Sequence, residues 1–291
     1  PFSAINQPQM NSTDKKHFLT VKDFSVSKEI FDLYHDATLD MLVTYPQPEL
    51  NNLGRYYESV DYISHTDSKR SLFEKAYHFV KGIALKNKLQ LINAEQASKG
   101  QLLDIGAGTG DFLLVAKNNG WNTIGIEPSE KAKTIAITKG ISFVPDTSSL
   151  ASHSFDCITM WHVLEHVPDL DFQIKELKRI LKPTGTLIVA VPNFKSYDAN
   201  YYQEFWAAYD VPIHFWHFLK KAIEILFQRE NMRLEKVLPM KFDSFYVSLL
   251  SEKYKTGKMN YFSAFFVGLR SNWKARRTNE YSSLIYVLKN K

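Results

Sequence analysis

The stretch Leu-Leu-Asp-Ile-Gly-Ala-Gly-Thr-Gly at residues 102–110 decides the fold of this 291-residue chain. An apolar run here leads into three glycines at alternate positions, and a segment with helical spacing follows at residues 111–118. Glycine permits a sharp turn from strand to helix and lets the backbone approach a ligand without intervening side chains. The stretch therefore predicts a strand, a glycine loop and a helix, with a ligand bound at the loop.

Short apolar runs alternate with amphipathic segments from residue 100 to residue 191, which is typical of a parallel sheet with crossover helices. The pattern predicts a doubly wound α/β fold with a mostly parallel, seven-stranded sheet. The predicted strands are residues 101–105, 123–127, 142–144, 155–160 and 186–191, followed by an antiparallel pair at 232–240 and 282–288. The predicted helices are residues 111–118, 129–139, 169–181 and 218–229.

Two domains are predicted, an irregular N-terminal extension at residues 1–68 and the α/β domain at residues 69–291. The second begins with an amphipathic helix at residues 69–92, and we expect the extension and this helix to close as a lid over the ligand. An aromatic-rich segment at residues 194–218 is predicted to cap the substrate, packing against the sheet being the alternative. Residues 241–280 are predicted to be an insertion.

The charge and apolar content exclude some classes of protein. The excess of Lys and Arg over Asp and Glu gives the chain a net charge of +5. The basic residues are spread along the chain, with a mild concentration between Lys253 and Arg277, and this favours a solvated basic surface over a nucleic-acid site. The apolar stretch at residues 261–269 is too short to span a membrane. The single cysteine, Cys157, excludes internal disulfides and suits a reducing compartment, so the cytoplasm is expected. Oligomeric state stays open.

Acidic residues around the glycine loop indicate the chemistry of the ligand. Asp111 stands where a dinucleotide-binding loop needs its third glycine, and its carboxylate would oppose a pyrophosphate. Asp104, just before the turn, instead suits a ligand with an ammonium group. Glu127, at the end of the next strand, can accept hydrogen bonds from both hydroxyls of a ribose. Asp146 could accept from an adenine amino group, or could equally be a turn aspartate.

These motifs, together with Gly-Ile-Glu-Pro at residues 125–128 and Ser-Phe-Asp-Cys-Ile-Thr at 154–159, resemble the class I S-adenosylmethionine-dependent methyltransferases. The resemblance covers roughly the central and C-terminal two thirds of the chain. It implies a Rossmann-like fold, S-adenosylmethionine as cofactor and a small-molecule methyl acceptor. It assigns the methionine end to Asp104, Gly106 and Gly108, the ribose to Glu127 and the adenine to Asp146. Further cofactor contacts are expected from Ala107, Gly110, Pro128, Met160 and His162.

A narrower resemblance is to the subgroup with Leu-Glu-His-Val, here residues 164–167, and Pro-x-His-x-x-His-Phe, here residues 212–218. Members of that subgroup often carry an N-terminal zinc ribbon. Residues 31–48 look like the second half of the ribbon, but Asp36 and Leu39 stand where paired cysteines are expected. Any such ribbon is therefore predicted to be metal-free.

The segment after the fourth strand carries candidate catalytic groups. His162, Glu165 and His166 have H-x-x-E-H spacing, which would place all three on one face of a helix. Ubiquinone-pathway and small-RNA methyltransferases resemble this with E-x-x-E-H, and there the side chains hold a divalent cation that activates a hydroxyl. Histidine at the first position weakens the case for Mg²⁺, which prefers oxygen ligands. In the alternative, Glu165 and His166 cap and orient the following loop.

We predict proton handling and no permanent metal site. A neutral histidine can take a proton from an acceptor near pH 7, so His162 or His214 is expected to be the base, near His166 and with Asp210 as orienting partner. Two other functions stay open. One is a noncatalytic S-adenosylmethionine-binding protein. The other is a nucleotide-dependent oxidoreductase, which would lack its third glycine and a Tyr-x-x-x-Lys pair.

Overall fold

The computed structural model describes residues 15–57 and 72–291. Its strands are β1 (Lys15–Lys22), β2 (Ile30–Asp36), β3 (Met41–Tyr45), β4 (Gln101–Ile105), β5 (Asn122–Ile126), β6 (Ser142–Phe143), β7 (Phe155–Trp161), β8 (Leu181–Pro192), β9 (Trp216–His217), β10 (Met232–Pro239) and β11 (Ser283–Asn290). Its α-helices are α1 (Leu72–Glu95), α2 (Asp111–Asn118), α3 (Glu130–Thr138), α4 (Leu170–Ile180), α5 (Tyr197–Tyr202), α6 (Lys220–Arg229), α7 (Asp243–Thr256) and α8 (Tyr261–Thr278). A 3₁₀ helix covers Leu50–Tyr57.

The larger sheet has seven strands in the order β10-β11-β8-β7-β4-β5-β6. Strands β4 to β8 are parallel, and β11 pairs antiparallel with both β8 and β10. This confirms the predicted fold class and the antiparallel final pair. The chain runs outward through β5 and β6 on one side of β4 and through β7 and β8 on the other. The carboxyl ends of β4 and β7 therefore flank the crevice where such sheets bind ligands.

The bounds of the elements agree with the prediction on either side of the glycine loop, where neighbouring residues determine the turn. Strand β4 and helix α2 have the predicted bounds. Strand β8 begins at Leu181, five residues before the predicted start, because Leu181 already pairs with Phe155 of β7. The register then shifts before Cys157 pairs with Thr186, so residues 182–185, which were predicted to connect the helix to this strand, lie within it.

Helix α4 illustrates how the surface helices hold to the sheet. Asp169 caps its first turn, accepting a hydrogen bond from the Phe172 amide at 2.9 Å. Its apolar residues recur every three or four positions and are all buried in the main core, where each contributes about 1.5–3 kcal/mol of burial free energy. These residues are Leu170, Ile174, Leu177 and Ile180.

The N-terminal segment is not the irregular extension that was predicted. In its described part, β1, β2 and β3 form an antiparallel sheet, and β9 adds a fourth strand through pairs of Leu42 with His217 and Val43 with Trp216. The prediction was wrong because apolar residues alternate with polar ones in β2, which buries Phe31 and Leu33, and a period of two is typical of a strand. Residues 1–14 and 58–68 of the predicted extension lie outside the described residues.

The segment that resembles half of a zinc ribbon forms the β2–β3 hairpin. Asp36 closes the turn, because its Oδ1 accepts hydrogen bonds from the amides of Thr38 at 2.9 Å and Leu39 at 3.1 Å. A carboxylate thus organises the turn at the two positions where the resemblance places cysteines. The origin of the hairpin in a ribbon stays a prediction.

The aromatic segment at residues 194–218 is mostly core. Most of its large side chains pack in a second hydrophobic cluster, as in the packing alternative, but against the N-terminal sheet and not the predicted seven-stranded one. The buried aromatics include Phe194, Tyr202, Trp206 and Tyr209. What the segment offers to a ligand is therefore polar, through Asp210 and His214.

The remaining predicted segments are helical. The insertion at residues 241–280 is built of α7 and α8, which pack on each other. Helix α1 begins at Leu72, because residues 69–71 lie outside the described part of the chain, and its Phe79 is exposed. Across residues 15–57 and 72–291, none of the helices has the length and apolar character needed to cross a bilayer.

Candidate functional site

The glycine loop after β4 makes the turn that the sequence predicts. The amides of Gly106 and Ala107 donate to the Ile126 carbonyl at 2.8 and 3.1 Å, which ties the loop to β5. Gly106 has φ of 73°, and a Cβ there would lie 2.3 Å from Cγ2 of Val163 in the loop after β7. Gly108 has φ of 52° and open space where a Cβ would be, so a ligand can approach its backbone.

Asp104 lies at the base of this loop. Its side chain is buried and accepts a 2.6 Å hydrogen bond from the Thr159 hydroxyl of β7. Burial raises the pKa of Asp104 to about 7, although the Thr159 hydrogen bond and the positive charge of Lys88 oppose that rise. A carboxylate that is costly to ionise in the free protein is a strong partner for a ligand's ammonium group.

Glu127 lies just past β5, beside the loop. Its Oε2 accepts from the Gly108 amide at 2.7 Å and its Oε1 from the Ser129 amide at 2.9 Å. Each carboxylate oxygen can accept a second hydrogen bond, so the fixed carboxylate retains capacity for two hydroxyls. Pro128 follows it at an exposed position.

Asp146 and Met160 have less obvious ligand roles. Asp146 caps a short 3₁₀ turn, its Oδ1 accepting from the Ser148 hydroxyl at 2.6 Å and the Ser149 amide at 3.3 Å, as the turn-aspartate alternative requires. The Met160 side chain is fully buried in the main core. Contact of Met160 with a cofactor would therefore come from its backbone, and the adenine role of Asp146 stays a prediction.

His162 lies directly after β7, in the left-handed backbone region with φ of 58°. Its Nε2 lies 2.8 Å from Oδ2 of Asp243, the first residue of α7, and its Nδ1 lies 3.4 Å from Oε1 of Glu165. Burial lowers the pKa of His162, but the two carboxylates outweigh burial and raise it to about 10. The two carboxylates favour the imidazolium at neutral pH, so this environment disfavours His162 as the neutral base and favours His214 of the two expected candidates.

Glu165, the neighbour of His162, also forms a second group with His166 and His214. One carboxylate oxygen and one nitrogen from each ring lie within 4.8 Å of one another. The two imidazole rings meet edge to face, with centroids 4.5 Å apart. Glu165 is buried, and within residues 15–57 and 72–291 neither of its carboxylate oxygens accepts a hydrogen bond.

The two histidines of this group are neutral at pH 7. Burial is the main cause that lowers the pKa of both, and each is further lowered by neighbouring imidazoles. His214 Nδ1 donates to the Ala208 carbonyl at 3.0 Å, which leaves its Nε2 unprotonated and able to accept a proton. Asp210 Oδ2 lies 3.9 Å from that Nε2, beyond hydrogen-bonding distance. The orienting partner of His214 is therefore Ala208, not Asp210 as expected.

Asp210 remains part of the same surroundings. Burial is the main cause that raises the pKa of Asp210 to about 7, and the negative charges of Asp23 and Glu165 contribute to the same rise. Asp210 also has a left-handed backbone, with φ of 36°. The N-terminal part reaches the group through Tyr57, whose hydroxyl lies 3.2 Å from His166 Nδ1.

Two residues of the site were not identified from the sequence. Asp243 lies in the insertion, and nothing in its local pattern signals a partner for His162. Lys88 of α1 places its ammonium 4.3 Å from the centroid of the Trp161 ring, and burial lowers its pKa while Asp104 and Asp243 oppose that shift. A lysine within an otherwise apolar helical face is a weak sequence signal, because such side chains usually reach solvent.

Comparison with known proteins agrees with this geometry. The family model described as "Methyltransferase domain" matches residues 77–237, more than half of the chain. The chain is 33% identical over 131 residues to a ubiquinone biosynthesis O-methyltransferase of Actinobacillus pleuropneumoniae, covering 39% of this chain and 56% of that protein. It is 31% identical over 102 residues to a demethylmenaquinone methyltransferase of Bacteroides fragilis, covering 31% and 42%. The chain thus matches about half the length of these curated relatives.

A solved structure supports the fold. A SAM-dependent methyltransferase from Thermotoga maritima, described as a possible histamine N-methyltransferase, superposes with a TM-score of 0.51 at 21% identity, covering 75% of this chain and 95% of that one. The glycine loop and the acidic end of β5 lie within the matched family region. The chain belongs to the family of methyltransferase domains, whose cofactor is S-adenosylmethionine.

Proposed function

We propose that this protein transfers the methyl group of S-adenosylmethionine to a small-molecule acceptor. The observation that carries the proposal is the contact between two loops: Val163, between His162 and the Glu165 group, fills the space beside Gly106 of the glycine loop. Cofactor-binding groups and proton-accepting groups thus adjoin at one edge of the sheet. That is the arrangement that an in-line transfer between two bound reactants needs.

The donor side would be held by four groups. The Asp104 carboxylate pairs with the methionine ammonium, the backbone at Gly106 and Gly108 lies along the methionine end, and Glu127 accepts from the ribose hydroxyls. Secondary contacts are proposed from Ala107, Gly110, Pro128, Asp146, Met160 and His162. In the reaction, the acceptor atom bonds to the methyl carbon as the carbon–sulfur bond breaks, and the bonding electrons stay on sulfur.

The acceptor side would handle the proton that an oxygen or nitrogen nucleophile loses. His214 Nε2 and the His166 ring are neutral acceptors in a buried site, and the Glu165 carboxylate stabilises the imidazolium that forms. His162 is proposed as a positioning residue, because its protonated ring pairs with the carboxylates of Asp243 and Glu165 and has no free nitrogen to accept a proton. Asp210 is proposed to tune the group electrostatically from 3.9 Å.

A divalent cation is the alternative to direct proton transfer. The donor set fits one, since Glu165 is a buried carboxylate that accepts no hydrogen bond in the described part of the chain and two neutral imidazoles, each with one unprotonated nitrogen, adjoin it. Glu165, His166 and His214 would hold the ion, which would lower the pKa of an acceptor hydroxyl. We keep the proposal without a resident metal. Stoichiometric metal on elemental analysis, or activity lost to a chelator and restored by a divalent cation, would overturn that part.

The acceptor class is inferred from the relatives. Two of them are named for ubiquinone and demethylmenaquinone methylation, so a ring hydroxyl or an activated ring carbon is the proposed target. We also propose membership of the subgroup with the residue 164–167 and 212–218 motifs, a ribbon-derived N-terminal sheet, a lid role for the Tyr57 region and a cytoplasmic location. The contact of Tyr57 with His166 supports the lid. Removing residues before residue 69 would also remove the sheet that packs on the aromatic segment. Tyr57→Phe therefore tests the lid instead, and it should lower turnover while the chain stays folded.

Two measurements separate this function from its rivals. Calorimetry should show binding of S-adenosylmethionine and none of NAD, and mass spectrometry of an extract incubated with protein and isotope-labelled cofactor should show a product heavier by one labelled methyl group. Binding without any methylated product would favour a noncatalytic binding protein. Binding of NAD instead would favour an oxidoreductase.

A further inference from the structure

Helix α8 exposes its largest apolar side chains. Five of them recur every one, three or four positions, and each is between 48% and 76% exposed. Together they form the aromatic ridge: Phe262, Phe265, Phe266, Leu269 and Trp273. Three of the rings contact one another, with the centroids of Phe262 and Phe266 4.7 Å apart and those of Phe265 and Phe266 5.7 Å apart. Leu269 and Trp273 continue the row of exposed apolar side chains along the helix.

The inward face of α8 is built from small residues instead. A Cβ at Gly268 would lie 2.8 Å from Cδ1 of Phe245, which shows how closely α7 and α8 approach. The other positions that face inward are Ala264, Val267, Ser271 and Ala275. A surface helix of a globular domain normally buries its large apolar residues and exposes polar ones. Here the close approach of α7 leaves no room for aromatic rings inside, so the ridge faces away from the domain.

The insertion that carries the ridge is also the basic part of the chain. Residues 241–280 contain eight Lys and Arg against three Asp and Glu, a net charge of +5 that equals the net charge of the whole chain. The three carboxylates are used internally: Asp243 pairs with His162, Glu252 accepts from Tyr202, and Glu280 accepts from Asn193. Helix α8 itself has no acidic residue.

The basic side chains border the ridge. Arg270 and Lys274 lie over the Tyr197 ring, and Arg277 lies 5.8 Å from the centroid of the Trp273 ring. Lys258 precedes the helix and Arg276 lies in its last turn, both exposed. Aromatic rings flanked by lysine and arginine are the composition of helices that lie in the plane of a membrane interface.

We propose that α8 docks this protein on an anionic lipid surface, with the aromatic ridge inserted at the level of the headgroups and the surrounding Lys and Arg contacting lipid phosphates. The helix has 18 residues and does not meet the requirements for crossing a bilayer, so it would lie in the interface. The sequence predicts that the basic surface between Lys253 and Arg277 is solvated. In this proposal, the same surface contacts lipid headgroups when the protein is docked.

Charge decides between a lipid surface and a second copy of the chain. In a dimer with two-fold symmetry, the same basic borders would face each other around the paired ridges and repel. The insertion offers no unpaired carboxylate to offset that repulsion. An anionic surface instead complements every exposed charge around the ridge.

The docking site connects to the methyl-transfer site through one helix. Helix α8 packs on α7, and α7 begins with Asp243, which pairs with His162. A lipid surface beneath α8 would place the acceptor side of the site near the bilayer. This docking does not depend on the proposed reaction and is tested without it.

The test is co-sedimentation of the full chain with vesicles. One set contains phosphatidylglycerol and phosphatidylcholine, and the other contains phosphatidylcholine alone. The protein should bind the anionic vesicles, less at high salt because the basic side chains are screened. The triple variant Phe262→Ser, Phe266→Ser, Trp273→Ser should lose roughly 100-fold or more in partition. The double variant Lys258→Gln, Arg276→Gln should lose roughly tenfold.

Matched controls lie on other exposed surfaces. Phe172→Ser removes an aromatic ring that is 53% exposed on α4, and Lys131→Gln with Lys175→Gln removes two exposed charges elsewhere. Both controls should bind vesicles like the unmodified chain, and circular dichroism checks that every variant is folded. Absence of vesicle binding, or equal binding by the ridge variant, would overturn the proposal. Self-association abolished by the ridge variant, without vesicle binding, would assign the ridge to a second copy instead.

Discussion

The two halves of the methyl-transfer site are built in different ways. The donor half, with Asp104, the glycine loop and Glu127, comes from one stretch of residues 101–129 on two adjacent parallel strands. The acceptor half draws on four distant segments, contributing Tyr57, residues 162–166, residues 208–214 and Asp243. The comparison teaches that a site made from one strand–loop–helix unit can be identified from its local pattern, whereas one assembled across the fold cannot.

The halves also differ in how their carboxylates are satisfied. Asp104 accepts from Thr159, and Glu127 accepts from two backbone amides. Glu165 is buried like Asp104, but within residues 15–57 and 72–291 it accepts no hydrogen bond, and its charged neighbour is the His162 ring at 3.4 Å. A buried carboxylate that has an ion-pair partner but accepts no hydrogen bond keeps capacity for a donor or a cation, which the described acceptor half leaves available to a bound group. Substitutions in the donor half should change cofactor affinity, and those in the acceptor half should change turnover.

The largest expected effect is in the acceptor half. His214→Gln removes the buried proton acceptor, so turnover should fall by roughly 10² to 10⁴ while the Kd for S-adenosylmethionine changes little. Steady-state kinetics and calorimetry on the same preparation check this. His153→Gln, at a histidine that contacts the Leu181 carbonyl outside the site, should leave both unchanged. Full turnover in His214→Gln would remove this residue from the chemistry.

The next effect is in the donor half. Glu127→Ala removes the proposed charge-assisted hydrogen bonds to the ribose, worth roughly 1.5–3 kcal/mol, so the Kd should rise by about one to two decades. Calorimetry measures it directly. The matched control is Glu130→Ala, an exposed glutamate of the neighbouring helix paired with Lys133, which should bind normally. An unchanged Kd in Glu127→Ala would sink the ribose assignment.

The pH dependence of binding sharpens the role of Asp104. Its pKa of about 7 in the free protein means that the carboxyl must lose a proton to pair with the ligand's ammonium. Affinity should therefore weaken as pH falls below 7, by roughly tenfold per pH unit, and binding should release a proton. Calorimetry in buffers of different ionisation enthalpy measures that release. Asp104→Asn should bind weakly at every pH, and a flat Kd in the unmodified chain would contradict the assignment.

The smallest expected effect concerns His162. Asp243→Asn should lower the pKa of His162 from about 10 toward its ordinary 6.5, as measured by NMR titration of the ring. Because the folded-state pKa is raised, the stabilisation by this ion pair is fully present below pH 6.5 and is lost as pH rises through 10. The difference in unfolding free energy between the two proteins should shrink over that window. The control is Asp171→Asn, at an exposed position of α4. An unchanged pKa of His162 in Asp243→Asn would contradict the pairing.

Several features were predictable because the forces that produce them act within a few residues. The bounds of β4 and α2 follow from an apolar strand, three glycines and helical spacing in one stretch. The mostly parallel seven-stranded sheet follows from the alternation of strands and helices along the chain. The positions of Asp104 and Glu127 follow from both, since parallel strands end at a common edge.

The N-terminal sheet and the reversed polarity of α8 were not predictable in this way. Strand β9 has only two residues, and it joins β3 because the aromatic segment packs there as a core. The exposure of the aromatic ridge depends on how closely α7 approaches Gly268, which no periodicity encodes.

The sequence by itself determined the fold class, the glycine loop and the acidic residues beside it, because turn conformation and hydrophobic period are local properties. Only the tertiary structure decided the charge of His162, the orientation of His214 by Ala208 and the convergence of Glu165 with two neutral imidazoles. The physical reason is that a protonation state depends on desolvation and on the nearest charges in space. In this protein the nearest charges come from residues far apart along the chain.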